Sequence, residues 1–125
     1  MEFTGAVPNL LVSDLQASLP WYVETLGFAL QKELAGPPAG AVLARGQAHL
    51  LIEQTEGDVA KLPKSTVDPF GLDVLYLVDD ATALYRELRE KGVEMLHGDA
   101  DLPDGAPQFG IRTPDGYVIV FSTGL

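Results

Sequence analysis

The chain contains the same strand-and-helix pattern twice, and this repeat limits its fold more than any other feature. Residues 7–14 (VPNLLVSD) align with residues 73–80 (DVLYLVDD) at a constant offset of 66 residues. Each run has the length of a strand and ends in residue types that favour the N-terminus of a helix. We therefore expect two modules that share one topology.

A helix is predicted after each of these runs. In the second half, Leu84 and Leu88 are one helical turn apart and mark a buried face, and Gly92 is placed to end the helix. In the first half, Gly27 has the same role.

The first helix contains a proline, which complicates its prediction. Ser13 and Gln16 fit a capping box. Pro20 is unfavourable in a helix interior, so we expect a first turn that ends at Ala17 and then a separate helix capped by Ser18.

Three strand-like segments follow the helix in each half. They are 28–34, 41–45 and 48–54 in the first half, and 94–97, 109–112 and 118–122 in the second. The sequence thus predicts an α+β domain over 1–125, with module one at 6–55, a surface linker at 56–70 and module two at 71–125. Two βαβββ modules would form a cupped, mixed eight-stranded sheet with its helices on the convex face. The concave face of such a sheet is a natural small-molecule site.

Composition excludes several kinds of site and partner. The chain has no cysteine, which excludes disulfides, thiolate metal sites and a cysteine nucleophile. The net charge of −10 disfavours nucleic acid and favours either cationic ligands or simple solubility. There is no apolar run long enough for a membrane span, and the first residues do not resemble an export signal, so a cytoplasmic location is expected.

Several motifs resemble the vicinal oxygen chelate superfamily, which includes glyoxalase I, extradiol dioxygenases, fosfomycin-resistance enzymes and bleomycin-resistance proteins. They are 12–28 (VSDLQASLPWYVETLGF), 78–80 (VDD) and 113–121 (TPDGYVIVF). Two further segments, 6–8 (AVP) and 108–116 (QFGIRTPDG), look most like the bleomycin-resistance-type binding proteins. The resemblance implies the glyoxalase/bleomycin-resistance fold.

The resemblance also implies where a metal would be held in metal-dependent members. Those positions correspond here to Val7, Asp73, Val120 and either Leu50 or Leu51. Only Asp73 carries a ligand-type side chain, whereas a site of this kind needs three protein ligands. We therefore expect no metal site of the usual kind and no cofactor.

Side-chain alternation along the strands selects candidate ligand contacts on the concave face. The predicted ligand-binding residues are Asn9, Leu11, His49, Leu51, Glu53, Asp73, Leu75, Phe109 and Val120. Ile111 and Val118 are expected to complete an apolar lining around Phe109 and Val120.

Asp73 has three possible roles at this stage. It could be a structural carboxylate that caps a neighbouring amide, an acceptor for a cationic or hydrogen-bonding ligand, or a metal ligand. With His49 and Glu53 it could also form a displaced metal or acid–base set. His97 is predicted to lie at the surface, and the nearby aspartates are predicted to lie in a solvated loop; these are Asp99, Asp101 and Asp104.

The function predicted from these residues is that of a metal-free binding protein that sequesters an antibiotic or another natural product. No catalytic residue is required, and the expected partners are a small cationic or aromatic ligand and a second copy of the chain, with the pocket at the dimer cleft. Leu75 and Leu77 stand where bleomycin binders tend to have aromatics, and Gln31 and Lys32 also depart from them, which favours a smaller or more apolar ligand than bleomycin. The alternatives are a metal-dependent lyase, isomerase or dioxygenase with a displaced metal site, and a structural or regulatory domain with a vestigial pocket.

Overall fold

The computed structural model of the chain describes residues 1–96 and 108–124. The chain separates into two compact units, Met1–Val59 and Ala60–Leu125, which we call unit one and unit two. Each unit combines a helix with a sheet of mixed strand directions, so the predicted α+β class is confirmed. No helix in the described ranges is long and apolar enough to cross a membrane.

Unit one contains a four-stranded sheet. Its elements are β1 (Asn9–Val12), α1 (Leu15–Pro20), a π-helical turn (Trp21–Thr25), β2 (Ala29–Leu34), β3 (Gly40–Arg45) and β4 (Ala48–Gln54). The strand order is β1-β4-β3-β2, with β1 parallel to β4 and the other pairs antiparallel. The three predicted hairpin strands agree with β2, β3 and β4 to within one residue at each end.

Unit two repeats this order of elements over fewer described strands. Its elements are β5 (Val74–Leu77), α2 (Ala81–Glu90), β6 (Gln108–Arg112) and β7 (Val118–Ser122), in the sheet order β5-β7-β6. Of the predicted strand at 94–97, residues 94–96 are described, and there Met95 makes an isolated bridge to Ile111. His97 and the three aspartates of the predicted solvated loop lie outside the described residues. The predicted linker contains two short 3-10 turns, Val59–Lys61 and Lys64–Thr66.

The helix N-termini preserve the sequence repeat in atomic detail. Asp14 Oδ1 accepts a hydrogen bond from the Ala17 amide at 3.3 Å, and Asp80 Oδ1 accepts one from the Ala83 amide at 3.0 Å. Each aspartate is the N-cap of its helix, so each satisfies a donor that the first helical turn leaves without a partner.

The predicted break in the first helix is wrong. The helical path begins after Asp14 and runs through Pro20 into the π-helical turn Trp21–Thr25, and Ser18 is a buried residue within α1. Pro20 lacks the amide that an α-helix would use at that position. The helical path nevertheless continues past Pro20 into a wider turn, which is closed by the Leu26 amide on the Trp21 carbonyl at 3.1 Å.

An aromatic cluster holds α2 against one face of the second sheet. The Tyr85 ring of α2 meets Phe109 edge-on at 5.5 Å, Phe109 lies 5.3 Å from Phe121, and Phe121 stacks on Tyr76 at 6.0 Å. Leu75 and Leu77 alternate with the buried residues of β5 and are 40% and 57% exposed. The face that carries these two leucines is called the open face of unit two.

The buried Tyr76 hydroxyl predicts a loss of stability at alkaline pH. Burial raises the pKa of Tyr76 above its ordinary value. Below about pH 10 this hydroxyl is protonated in both the folded and the unfolded chain. Above that pH the unfolded chain loses the proton first. The free energy of unfolding therefore falls by up to about 1.4 kcal/mol per pH unit. We expect the urea midpoint of Tyr76→Phe to fall less between pH 9 and pH 11 than that of the wild type. Equal falls would mean that Tyr76 ionises freely in the folded chain.

Candidate functional site

The face of the first sheet opposite the buried side chains of Leu10, Leu50 and Ile52 is called the open face of unit one, and it carries five of the predicted ligand contacts. In the β1–β4 pairing, Asn9 lies beside Leu51, and Leu11 lies beside Glu53. Asn9 Nδ2 donates to Glu53 Oε1 at 2.6 Å, which links the two strands on this face. His49 lies two residues before Leu51 on β4 and therefore shares its face. A role of these residues in ligand binding stays a prediction.

The alternate residues of the same strands form the core of unit one. Leu10 is 5% exposed, and both Leu50 and Ile52 are fully buried. Because Leu50 is buried, Leu51 is the residue of this pair that occupies the open face.

Asp73 has structural partners at both of its carboxylate oxygens. Oδ1 accepts from the Lys64 amide at 3.0 Å, and Oδ2 accepts from the Val118 amide at 2.9 Å. The Asp73 amide in turn donates to the Val118 carbonyl at 2.9 Å. The carboxylate therefore joins the second 3-10 turn to the first residue of β7, which corresponds to the first of its three possible roles.

A cavity of about 460 Å³ lies on the open face of unit two. Strand pairing places Leu75 and Gly110 on either side of Val120, and this row forms the floor. The lining residues are Pro69, Phe70, Gly71, Leu72, Leu75, Leu96, Gln108, Gly110, Arg112, Val118 and Val120. Its described lining is thus mainly apolar, with two polar side chains, Gln108 and Arg112, on β6.

Gly110 leaves room above the middle of the floor. A Cβ atom built at this position would lie 3.3 Å from Leu96 Cδ1 and 3.6 Å from Val120 Cγ2, both of which line the cavity. A side chain at position 110 would therefore enter the cavity, and glycine keeps that space open.

Arg112 is held by three protein contacts at the edge of the cavity. Its Nη1 donates to Ser65 Oγ at 3.2 Å and to the Gly116 carbonyl at 3.0 Å, and its Nε lies 3.3 Å from Glu94 Oε2. The guanidinium is consequently fixed while its side chain stays 34% exposed. No carboxylate is among the described residues that line the cavity.

The structure corrects the predicted orientation of β6. Phe109 is 6% exposed and packs on the aromatic cluster under α2, and Ile111 is fully buried beside it. Their neighbours Gln108, Gly110 and Arg112 face the cavity instead. Of the other predicted contacts in unit two, Leu75 and Val120 line the cavity and Asp73 does not.

The residues present do not fit the metal of the metal-dependent relatives. At the corresponding positions Val7, Leu51 and Val120 have hydrocarbon side chains, which cannot coordinate a metal ion. Over residues 1–96 and 108–124, no group of three or more His, Asp and Glu side chains is arranged to hold one.

Solved structures with a similar fold include an enzyme and two proteins that bind antibiotics. A bleomycin-binding protein from bleomycin-producing Streptomyces verticillus, solved with copper(II)-bleomycin, is 26% identical with a TM-score of 0.69, covering 100% of this chain and 99% of that one. TnmS3, an antibiotic binding protein from Streptomyces sp. CB03234, is 25% identical with a TM-score of 0.67, covering 98% and 97%. The trypanothione-dependent glyoxalase I of Leishmania major is 21% identical with a TM-score of 0.67, covering 93% and 83%, and shows a likeness of fold alone.

Sequence comparison identifies the family of the chain. No curated protein matches the sequence. The sequence profile of one superfamily matches residues 6–121, which include both copies of the repeat. The chain therefore belongs to the Glyoxalase/Bleomycin resistance protein/Dioxygenase superfamily.

Proposed function

We propose that this chain is a metal-free binding protein that captures an antibiotic or another small natural product in the cavity of unit two. The observation that carries the proposal is the cavity itself, whose volume of about 460 Å³ is within the range of small-molecule sites. Its apolar floor provides burial of ligand surface, and the polar side chains of its described lining, Gln108 and Arg112, provide orientation.

The residues of the cavity support binding without a chemical step. Arg112 is the one ionisable side chain among its described lining residues, and it is held by protein partners. General acid–base catalysis needs a group that exchanges a proton near the working pH, and arginine stays protonated there. Capture requires only shape, apolar area and fixed polar contacts.

The relatives of higher identity support the same proposal. Two solved structures that are at least 25% identical are described as a bleomycin-binding protein and an antibiotic binding protein. Apolar residues at Leu75 and Val120 favour a ligand with a substantial apolar part.

A neutral fluorescent probe tests whether the cavity binds small molecules. N-phenyl-1-naphthylamine, which fluoresces in apolar surroundings, is titrated into the folded chain and into Gly110→Phe. We expect saturable binding of one probe per chain, and a loss of affinity of about tenfold or more in Gly110→Phe, because the new ring occupies space that the probe needs.

Gly57→Phe is the matched control for this experiment. Gly57 is exposed in unit one, its φ is not positive, and a Cβ there would meet only Thr55 Oγ1 at 3.5 Å. This variant is expected to bind like the wild type. Wild-type affinity in a folded Gly110→Phe variant would overturn the assignment of the cavity.

A further inference from the structure

Arg112 is placed where its side chain can contact a molecule bound in the cavity. It lies on the same face of β6 as Gly110 and pairs with Val118 across the strands. All three residues line the cavity. A ligand on the apolar floor would therefore lie beside the guanidinium.

The guanidinium has donor capacity beyond its protein contacts. Arginine carries five N–H donors. The Nη1 and Nε contacts to Ser65, Gly116 and Glu94 hold the group in place. Within the described part of the chain, the contacts of the guanidinium involve Nη1 and Nε, so the two donors of Nη2 stay available to a ligand.

The local charge differs in sign from the charge of the whole chain. The net charge is −10, which by itself favours a cationic ligand. At the cavity, however, the lining residues in the described ranges include a guanidinium and no carboxylate. Glu94 forms an ion pair with Arg112, but its side chain is 66% exposed, and an exposed pair of this kind is weak. Charges beyond about 8 Å are screened at physiological salt, and Glu94 occupies the Nε side of the guanidinium, so recognition at this edge depends on the remaining N–H donors of Arg112.

We propose that Arg112 is the recognition residue of this cavity and that its ligand is an apolar molecule with an acceptor oxygen, anionic or strongly polarised, placed at Arg112 Nη2. This inference rests on the proposed function. Hydrogen bonds from a charged donor are about twice as strong as neutral ones, so such an oxygen gives affinity as well as orientation. Gln108, the other polar residue among the described lining residues, lies four residues away on the same face and provides a neutral donor and acceptor.

Two probes that share one skeleton test this inference. N-phenyl-1-naphthylamine is neutral, and 8-anilinonaphthalene-1-sulfonate is the same molecule with an added sulfonate. We expect the wild type to bind the sulfonate about tenfold more tightly, in spite of the negative net charge. In Arg112→Met this preference is expected to disappear or reverse, while the affinity for the neutral probe stays within about twofold.

Two further variants make the result specific. Arg86→Met removes one positive charge from an exposed position on α2 and should keep the preference. Arg112→Lys keeps the charge but lacks the planar guanidinium, so it should keep only part of the preference for the sulfonate probe. If Arg112→Met does not fold, Arg112→Lys takes its place in the comparison.

Each outcome of the probe comparison decides a different claim. Equal binding of both probes by the wild type, or a full preference that persists in a folded Arg112 variant, would overturn the role of Arg112 and leave the cavity as a binding site. Failure of both probes to bind the wild type would overturn the proposed function, and this inference with it.

Discussion

Replacing Val120 with glutamate is expected to abolish capture of N-phenyl-1-naphthylamine while the chain stays folded. Val120 is the middle of the cavity floor, between Leu75 and Gly110, and is partly exposed on the open face. A carboxylate here would have to lose its water when a ligand binds, and burying a charge without a partner costs several kcal/mol. A loss of about 2.7 kcal/mol corresponds to about a hundredfold in affinity, and we expect at least that loss in a fluorescence titration. Pairing of the new carboxylate with Arg112 would not restore binding, since the glutamate would then fill the cavity.

Leu77→Glu is the control for this prediction. Leu77 lies on the same face of β5 as Leu75, is 57% exposed, and is not among the cavity-lining residues. Its replacement changes the net charge equally and should leave the affinity within about twofold. If both variants lost binding to the same degree, net charge rather than the cavity would control it. If neither lost binding, the probe would bind elsewhere.

Replacing Asp73 with alanine is expected to lower the free energy of unfolding by about 2 kcal/mol, because two amides lose a charged acceptor. The Lys64 and Val118 amides donate to its two oxygens at 3.0 and 2.9 Å, and the Val118 amide is partly buried. Urea denaturation measures this loss. Affinity for the neutral probe should not change, since Asp73 does not line the cavity.

Two variants define this prediction further. Asp73→Asn can accept from only one of the two amides through its single carbonyl oxygen, so an intermediate loss is expected. Glu56→Ala removes an exposed carboxylate and should change stability by less than about 0.5 kcal/mol. Unchanged stability together with weaker probe binding in Asp73→Ala would mean that Asp73 is a ligand acceptor and not a structural carboxylate.

Periodicity and capping residues were enough to predict most of the elements. The offset that relates Val7 to Asp73 also relates the two N-caps, Asp14 and Asp80, because each module starts its helix with the same local hydrogen bond. Strands β2, β3 and β4 could be predicted because turn residues at Gly27, 36–40 (GPPAG) and Gly46 separate them, and because β3 and β4 are mainly apolar. Alternation also placed Leu11 and Leu51 together on one face of the first sheet.

The cavity was only partly predictable, because a strand with apolar residues on both faces does not reveal which face is buried. In β6 the alternation predicts Phe109 as a ligand contact, whereas its ring is buried against Tyr85 and Phe121. The sequence signal for the cavity is the other face of β6, which carries Gln108, Gly110 and Arg112. A glycine between two polar strand residues indicates a site where another group can approach the backbone closely. The role of Asp73 depends on the backbone of a 3-10 turn that begins at Lys64, and strand periodicity does not report such long-range contacts.

The most direct test of the central claim is an NMR titration of the isotope-labelled chain with N-phenyl-1-naphthylamine, in which the amide shifts locate the bound probe. If the cavity of unit two is the capture site, the saturating shifts are largest at Gly110, Val120 and Leu75 and small at Tyr85 and Leu88, which lie on the other side of the sheet. Shifts that centre instead on the open face of unit one, or that never saturate, would contradict the assignment.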